Sequence, residues 1–177
     1  MRDYNDENTV TVYTDGSCYP NPDGRGGWAF YCMWNGIPHI RHGFAEVATN
    51  NRMELEAIMH ALLFVPLVGN LSRGAPLVVY TDSQYAKRAL TEWVPSWEAR
   101  GWVTASGDEV KNRDLITKTY SLVEAHRKVR AFDLRWVKGH AGNPENELVD
   151  TWAGIGRRDQ STNWAASDNH NADEFPQ

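Results

Sequence analysis

From Thr9 to Cys18 the chain alternates β-branched or aromatic residues with small polar ones, the period of a half-buried strand. Tyr19 to Gly27 breaks the pattern with two prolines and three glycines and reads as a turn. Trp28–Trp34 and Ile37–Ala45 predict two more strands, joined at the hairpin dipeptide Asn35-Gly36, so the first three strands form an antiparallel meander. Asn50-Asn51 then offers a helix cap. Beyond it Glu54, Ile58, Ala61, Leu62 and Val65 share one helical face until Pro66 and Gly69 end the run. Leu77–Thr81 predicts a short apolar strand and Ser83–Leu90 a short helix capped by Ser83. A tryptophan-rich stretch follows from Trp93 to Trp102. Lys111–Arg130 predicts a long helix, Ala131–Val137 a fifth strand, Lys138–Asn143 a loop, and Pro144–Arg158 a helix with proline near its start. The order βββ-α-β-α-α-α-β-α describes one α/β domain over residues 1–158. Its sheet is mixed and five-stranded, three strands antiparallel and the rest parallel, and helices flank it. Residues 159–177 are polar and are expected to form a mobile tail.

A chain of 177 residues, 41% hydrophobic and 23% charged, is large enough for one ordinary core, and no stretch of it approaches the roughly 20 apolar residues of a membrane span. The polar N-terminus does not resemble a secretory signal, so a cytoplasmic protein is expected. Two cysteines, Cys18 and Cys32, are too few for a disulfide framework and are expected as free thiols. The net charge of -5 argues against a strongly basic nucleic-acid surface.

The chemistry lies in the acids. Val12-Tyr13-Thr14-Asp15 and Val79-Tyr80-Thr81-Asp82 are near-identical strands that each end on an aspartate. A hairpin and a helix separate them, a connection that can set them parallel and adjacent, with both acids at similar height. Glu54 shares the stripe of Ile58 and Leu62, whereas Glu56, about 200° around the helix, should face water. An acid on a core-facing stripe is costly unless it is paired or bound to a metal. Asp150 lies amid the apolar Leu148, Val149 and Trp152 of the last helix. Acids converging from separate elements repel one another, and a hard divalent cation is the natural group to hold them. His140, bracketed by Gly139 and Gly142, precedes the Asp150 helix and can reach the same cleft to move a proton.

These segments resemble type 1 ribonuclease H of the bacterial or phage kind. The resemblance rests on YTDGSC (Tyr13 to Cys18), TNNRMEL (Thr49 to Leu55), YTDSQY (Tyr80 to Tyr85), VKN (Val110 to Asn112), WVKGHAGNPENE (Trp136 to Glu147) and Asp150, in the family's order. It implies the ribonuclease H-like fold and endonucleolytic hydrolysis of the RNA strand of an RNA–DNA hybrid, leaving 5′-phosphate and 3′-hydroxyl ends. It implies two Mg²⁺ ions, for which Mn²⁺ can substitute. Asp15 would bridge both ions, Glu54 and Asp82 would bind the one on the leaving-group side, and Asp150 would bind the one that carries the water. His140 would position water or aid product release. The resemblance further implies that Glu54, Asn50, Gln84 and the backbone near Cys18 and Asn21 read ribose 2′-hydroxyls. Asn51 and Gln84 would sit where the two strands are sensed. Thr49 would help grip a DNA phosphate, and Trp93, Trp97, Trp102, Lys111 and Asn112 are the remaining candidate substrate-binding residues. The tryptophans can equally be core, with at least one expected against the DNA sugar–phosphate backbone. No obligate protein partner is implied, and a monomer is expected.

The chain departs from the family in its handle. Thr91 to Arg113 holds Arg100, Lys111 and Arg113 against Glu92, Glu98, Asp108 and Glu109, a net charge of -1. Glu98-Ala99 stands where relatives often carry a lysine pair, and Val47 where they often carry a basic or polar residue. Two other readings compete. One is a catalytically inactive hybrid-binding module of the same fold, against which the intact set of acids argues. The other is an actin-like nucleotide hydrolase, which would need a second Asp-Gly loop and a larger chain. No P-loop motif is present.

Overall fold

The computed structural model describes residues 9–34, 36–66 and 74–168. Its strands are β1 (Val10–Tyr19), β2 (Gly24–Trp34), β3 (Ile37–Ala48), β4 (Leu77–Thr81) and β5 (Phe132–Trp136). They form one sheet in the order β3-β2-β1-β4-β5. β1–β2 and β2–β3 are antiparallel, while β1–β4 and β4–β5 are parallel. The expected fold class is therefore the observed one. The twin tetrapeptides lie in register, Val12 opposite Val79, Tyr13 opposite Tyr80 and Thr14 opposite Thr81. Tyr13 and Tyr80 stack with centroids 4.7 Å apart, and Thr14 Oγ1 donates to Tyr80 O. This register delivers Asp15 and Asp82 side by side, one residue past the paired ends.

Helices α1 (Asn50–Phe64) and α5 (Pro144–Asp159) cover opposite faces of the meander, and α4 (Arg113–Val129) packs outside α1. Strand alternation shows this at one point. A Cβ on Gly16 would strike the α1 main chain, and one on Gly27, opposite Ser17, would strike α5 at Ala153. Lying between sheet and α4, α1 is buried nearly all round, from Met53 to Phe64. His126 of α4 meets Leu62 O at 3.0 Å, and burial pushes its pKa down to about 4, so it is a neutral core imidazole.

Several boundaries differ from the sequence expectation. Strand β2 begins at Gly24, and only residues 20–23 turn. Gly26 and Gly27 are strand residues kept small by Met53 and by α5. Thr49, not Asn50 or Asn51, caps α1: its side chain accepts from Arg52 N at 3.2 Å, and Asn50 is already helical. The helix from Ser83 does not stop at Leu90. It runs through α2 (Gln84–Arg88) and a π-turn (Ala89–Trp93) into α3 (Val94–Ala99). Asn35 and Gly69 lie outside the described residues. Cys18 and Cys32 are both free and buried.

The segment after α5 is held through Asp168, unlike the mobile tail expected there. Thr162 Oγ1 donates to His42 O at 2.9 Å, and Asn163 Oδ1 accepts from His42 N at 2.7 Å, which satisfies the outer edge of β3. Trp164 sets its edge on Trp28, Phe30 and His60. Arg41 Nε and Nη2 grip Asp168 Oδ2 and Oδ1 at 2.9 and 3.0 Å. The polar composition hid this because its hydrogen bonds, rather than apolar periodicity, hold the segment. Asp168→Asn should lower stability by about 1–2 kcal/mol, read as a drop of roughly 2–8 °C in thermal melting.

Candidate active site

Three elements bring Asp15, Glu54 and Asp82 together. Asp15 projects from the middle of β1, which runs on to Tyr19 instead of ending on the acid as expected, and Asp82 follows the end of β4. Glu54 comes from the second turn of α1, which Gly16 admits because a side chain there would overlap the Glu54 amide. One oxygen from each carboxylate falls within 4.8 Å of the others. Asp15 and Glu54 are buried, at 5% and 4% exposure, and Asp82 is half-buried. Asp150, from the middle of α5, stands at the rim with its side chain 47% exposed.

The electrostatics are those of uncompensated negative charge. Burial, then repulsion from Asp82 and Asp150, pushes the Asp15 carboxyl up to about 8, against which the Gly16 N–H donates at 2.8 Å. Burial and then Asp15 and Asp82 raise Glu54 well above the usual range. Asp82 is raised by burial as well, although Asn146 and His140 pull it back. Glu54 Oε2 is buried without a donor among the described residues. A divalent cation fits this donor set, since it would satisfy the orphan oxygen and remove the repulsion between the acids.

The acids floor a groove of about 490 Å³ whose walls include Ser17, Asn50, Asn51, Ser83, Gln84, Tyr85 and His140. Of the expected substrate residues, Asn50, Asn51 and Gln84 thus lie at the groove. Asn21 Oδ1 accepts from Asn50 N at 3.1 Å and ties the β1–β2 turn to the start of α1. Thr49 caps that helix beside the groove. The Cys18 thiol is buried and points to the carbonyls of Pro20 and Ala48, both at 3.3 Å, so only its backbone faces outward chemistry. His140 is exposed, at φ 51° in its loop, with Nδ1 3.9 Å from Asp150 Oδ2.

Trp93, Trp97 and Trp102 form a chain of ring contacts continued by Tyr85. Trp102 is core, at 9% exposure, whereas Trp93 and Trp97 are half-buried. Trp97 and Lys111 line a second depression of about 480 Å³ with Tyr85, Asp108 and Glu109. Asn112 approaches Tyr85 Oη at 3.5 Å. Tyr85 borders both hollows, and its place in the YTDSQY segment was the signal for it.

Three residues beneath Asp82 lie in the WVKGHAGNPENE segment but are assigned no role in the site from sequence. Asn146, 2% exposed, bonds the Asp82 carboxylate from inside α5. Trp136 Nε1 donates to Asp82 O at 3.0 Å. Gly139 leaves room for the carboxylate, because a Cβ there would lie 2.5 Å from Asp82 Oδ2. Asn146 had a signal in its position one helical turn before Asp150; the other two depend on tertiary packing.

The RNase H family profile matches residues 7–158. The chain belongs to the RNase H family. Ribonuclease H of Xanthomonas oryzae pv. oryzae (strain MAFF 311018) is 45% identical over 154 residues, 87% of this chain and 93% of that protein. Ribonuclease H of Pseudomonas paraeruginosa (strain DSM 24068 / PA7) is 42% identical over 151 residues, 85% of this chain and 95% of that one. Among solved structures, LC9-RNase H1, a type 1 RNase H with the type 2 active-site motif, superposes with TM-score 0.71 at 28% identity, covering 93% of this chain and 81% of that chain. Membership makes the chain a nuclease of the hydrolase class. No helix among the described residues is long and apolar enough to cross a membrane.

Proposed function

We propose that this RNase H-family chain is a metal-dependent endoribonuclease that cuts the RNA strand of RNA–DNA hybrids, leaving 5′-phosphate and 3′-hydroxyl ends. The observation that carries the proposal is the convergence of the Asp15, Glu54 and Asp82 oxygens within 4.8 Å, on the floor of a groove walled by asparagine and glutamine amides. Asp15, Glu54 and Asp82, with Asp150 at the rim, would hold Mg²⁺ ions, or Mn²⁺ in their place. Bound there, two such ions supply Lewis acidity to the phosphate and lower the pKa of an attacking water.

The remaining work falls to the chain. The amides of Asn50, Asn51 and Gln84 can both donate to and accept from a ribose 2′-hydroxyl, the group that separates RNA from DNA. Asn21 and the backbone at Cys18 extend that reading along β1. Thr49, at the start of α1, stands where a DNA phosphate meets the helix N-terminus. Half-buried Trp93 and Trp97, with Lys111 and Asn112, offer an apolar bed to the DNA sugars; Trp102 supports them from the core. His140, exposed and beside Asp150, exchanges a proton with water or the leaving oxygen. The chain works in this reading as a cytoplasmic monomer without an obligate protein partner.

Matched RNA–DNA, RNA–RNA and DNA–DNA duplexes incubated with Mg²⁺ provide the test. Internal cuts in the RNA of the hybrid alone are expected, and none with EDTA. Binding without cutting would favour the inactive module instead. His140→Ala should slow turnover by about 10²-fold, in the range of a general acid–base contribution, with KM little changed. A near-normal rate would make His140 a bystander.

The handle bears on affinity. Its second depression is lined by Asp108 and Glu109 against Lys111. Each phosphate contact contributes roughly -0.9 to the slope of log affinity against log salt on duplex DNA. Replacing Asp108 and Glu109 with lysine should therefore tighten hybrid binding and steepen that slope, in a salt titration of a labelled hybrid. An unchanged slope would show that the handle does not touch the phosphates.

A further inference from the structure

β1 does not end its face at the acids. Asp15, Ser17 and Tyr19 alternate along the strand, so their side chains leave the same face of the sheet, and the first two line the groove. Tyr19 comes next in that line, about 13 Å past Asp15 at ~3.3 Å per residue. It is 73% exposed, more than any other large hydrophobic side chain among the described residues. Arg25 pairs directly across from it on β2 and is exposed. On the α5 side, the Arg157 guanidinium lies 5.8 Å from the centre of the Tyr19 ring. Helix α5 thus runs alongside β1, with Asp150 beside Asp15 and Arg157 beside Tyr19.

Like Arg100, Arg113 and Arg158, these two arginines are not neutralised by a carboxylate among the described residues; what sets them apart is that both flank one exposed ring. Arg41, Arg52, Arg88, Arg127 and Arg135 each pair with a carboxylate. Among the described residues Arg25 and Arg157 form no salt bridge, even though Asp23 is in the adjoining turn, and the buried Nε–H of Arg157 finds no acceptor. An exposed ring flanked by two unneutralised cations, in line with a polar groove, has the composition of a backbone track for nucleic acid. The turn beside it is tied to the groove through Asn21 and Asn50.

We propose that Tyr19, Arg25 and Arg157 extend the substrate track beyond the groove and hold the sugar–phosphate backbone of the hybrid as it leaves the active site. Positive charge that the handle lacks is thereby supplied beyond the groove, where β1 passes Arg157 of α5. The inference rests on the hybrid-cleavage reading above.

The span from Asp15 to Tyr19 matches the axial rise of about four nucleotides at 3.4 Å per nucleotide. The test compares a short hybrid that fills only the groove with the same hybrid lengthened by about four base pairs at one end or at the other. Cleavage kinetics with Mg²⁺ and anisotropy binding in EDTA are measured for each. Tyr19→Ala should raise KM about ten-fold for the hybrid lengthened at one end only, with kcat and the other two substrates unaffected. Arg25→Gln and Arg157→Gln should each flatten the salt slope by roughly 0.7–0.9 for that same substrate. Arg25 is the control for folding, being exposed. Wild-type cleavage of the hybrid with no length-dependent change in any variant would overturn this inference alone. Failure of the wild type to cut any hybrid would instead overturn the function it rests on, and this inference with it.

Discussion

Asp15→Asn is expected to abolish Mg²⁺-dependent cleavage while raising the melting temperature of the metal-free protein at pH 8. The loss should exceed about 10³-fold, a transition-state cost of roughly 4 kcal/mol. Asparagine keeps the shape of the side chain but cannot carry the negative charge that a divalent cation needs. The gain in stability follows from the raised pKa. Asp15 titrates near 8 in the folded chain against an ordinary 3.8, because of burial first and then the charges of Asp82 and Asp150. Between those values the folded protein binds more protons than the unfolded one, so stability falls as pH rises. The favourable contribution is whole below about pH 4 and lost above about pH 8. Glu54, raised for the same reasons, adds to the fall. An amide at position 15 removes one charge from the repelling set and flattens the curve. The gain at pH 8 should be on the order of 2 kcal/mol, or roughly 4–8 °C for a chain of this size. Added Mg²⁺ should stabilise the wild type and leave the variant unmoved. A variant that melts below the wild type at pH 8, or that still cuts, would remove Asp15 from the centre of the site.

The same acids show what a single sequence reveals. The paired VYTD strands and the Glu54 stripe were legible because strand and helix periods dictate where a side chain points, whatever the rest of the chain does. The parallel pairing of β1 with β4 was legible in the connection between them, since a long crossover permits it, whereas the place of β5 beside β4 was not. Gly24 to Gly27 misled, because glycine in a strand and glycine in a turn look alike until the neighbour that demands the missing side chain is known. The same holds for Gly139 under Asp82. The segment 161–168 was opaque for another reason. Its bonds to β3 come from Thr162, Asn163 and Asp168, residue types that elsewhere mark solvated loops. Tyr19 and Arg157 are 138 positions apart and no pattern links them; only the parallel run of α5 along β1 does.

Gly16 is where fold and chemistry share one requirement, and Gly16→Ala should damage both. The residue sits between Asp15 and Ser17 but faces the other side of the sheet, toward α1. An added Cβ would overlap the Met53 carbonyl carbon and the Glu54 amide, and would come within 2.9 Å of Glu54 Cα. These are main-chain atoms, so no rotamer change relieves the overlap, and α1 must move away from β1. Overpacking of this kind costs typically 1–3 kcal/mol, sometimes more, and the upper end is expected here, a fall in melting temperature of roughly 6–12 °C. Because α1 carries Glu54, the shift also pulls one carboxylate out of the 4.8 Å cluster. Mg²⁺ should then stabilise the variant less than it stabilises the wild type, measured by melting with and without the ion. Ser17→Ala, one position on and facing the groove, is the contrast: its stability should stay within about 0.5 kcal/mol of the wild type. If Gly16→Ala melted with the wild type and kept its full response to Mg²⁺, the close approach of β1 to α1 would not be what sets Glu54 among the acids.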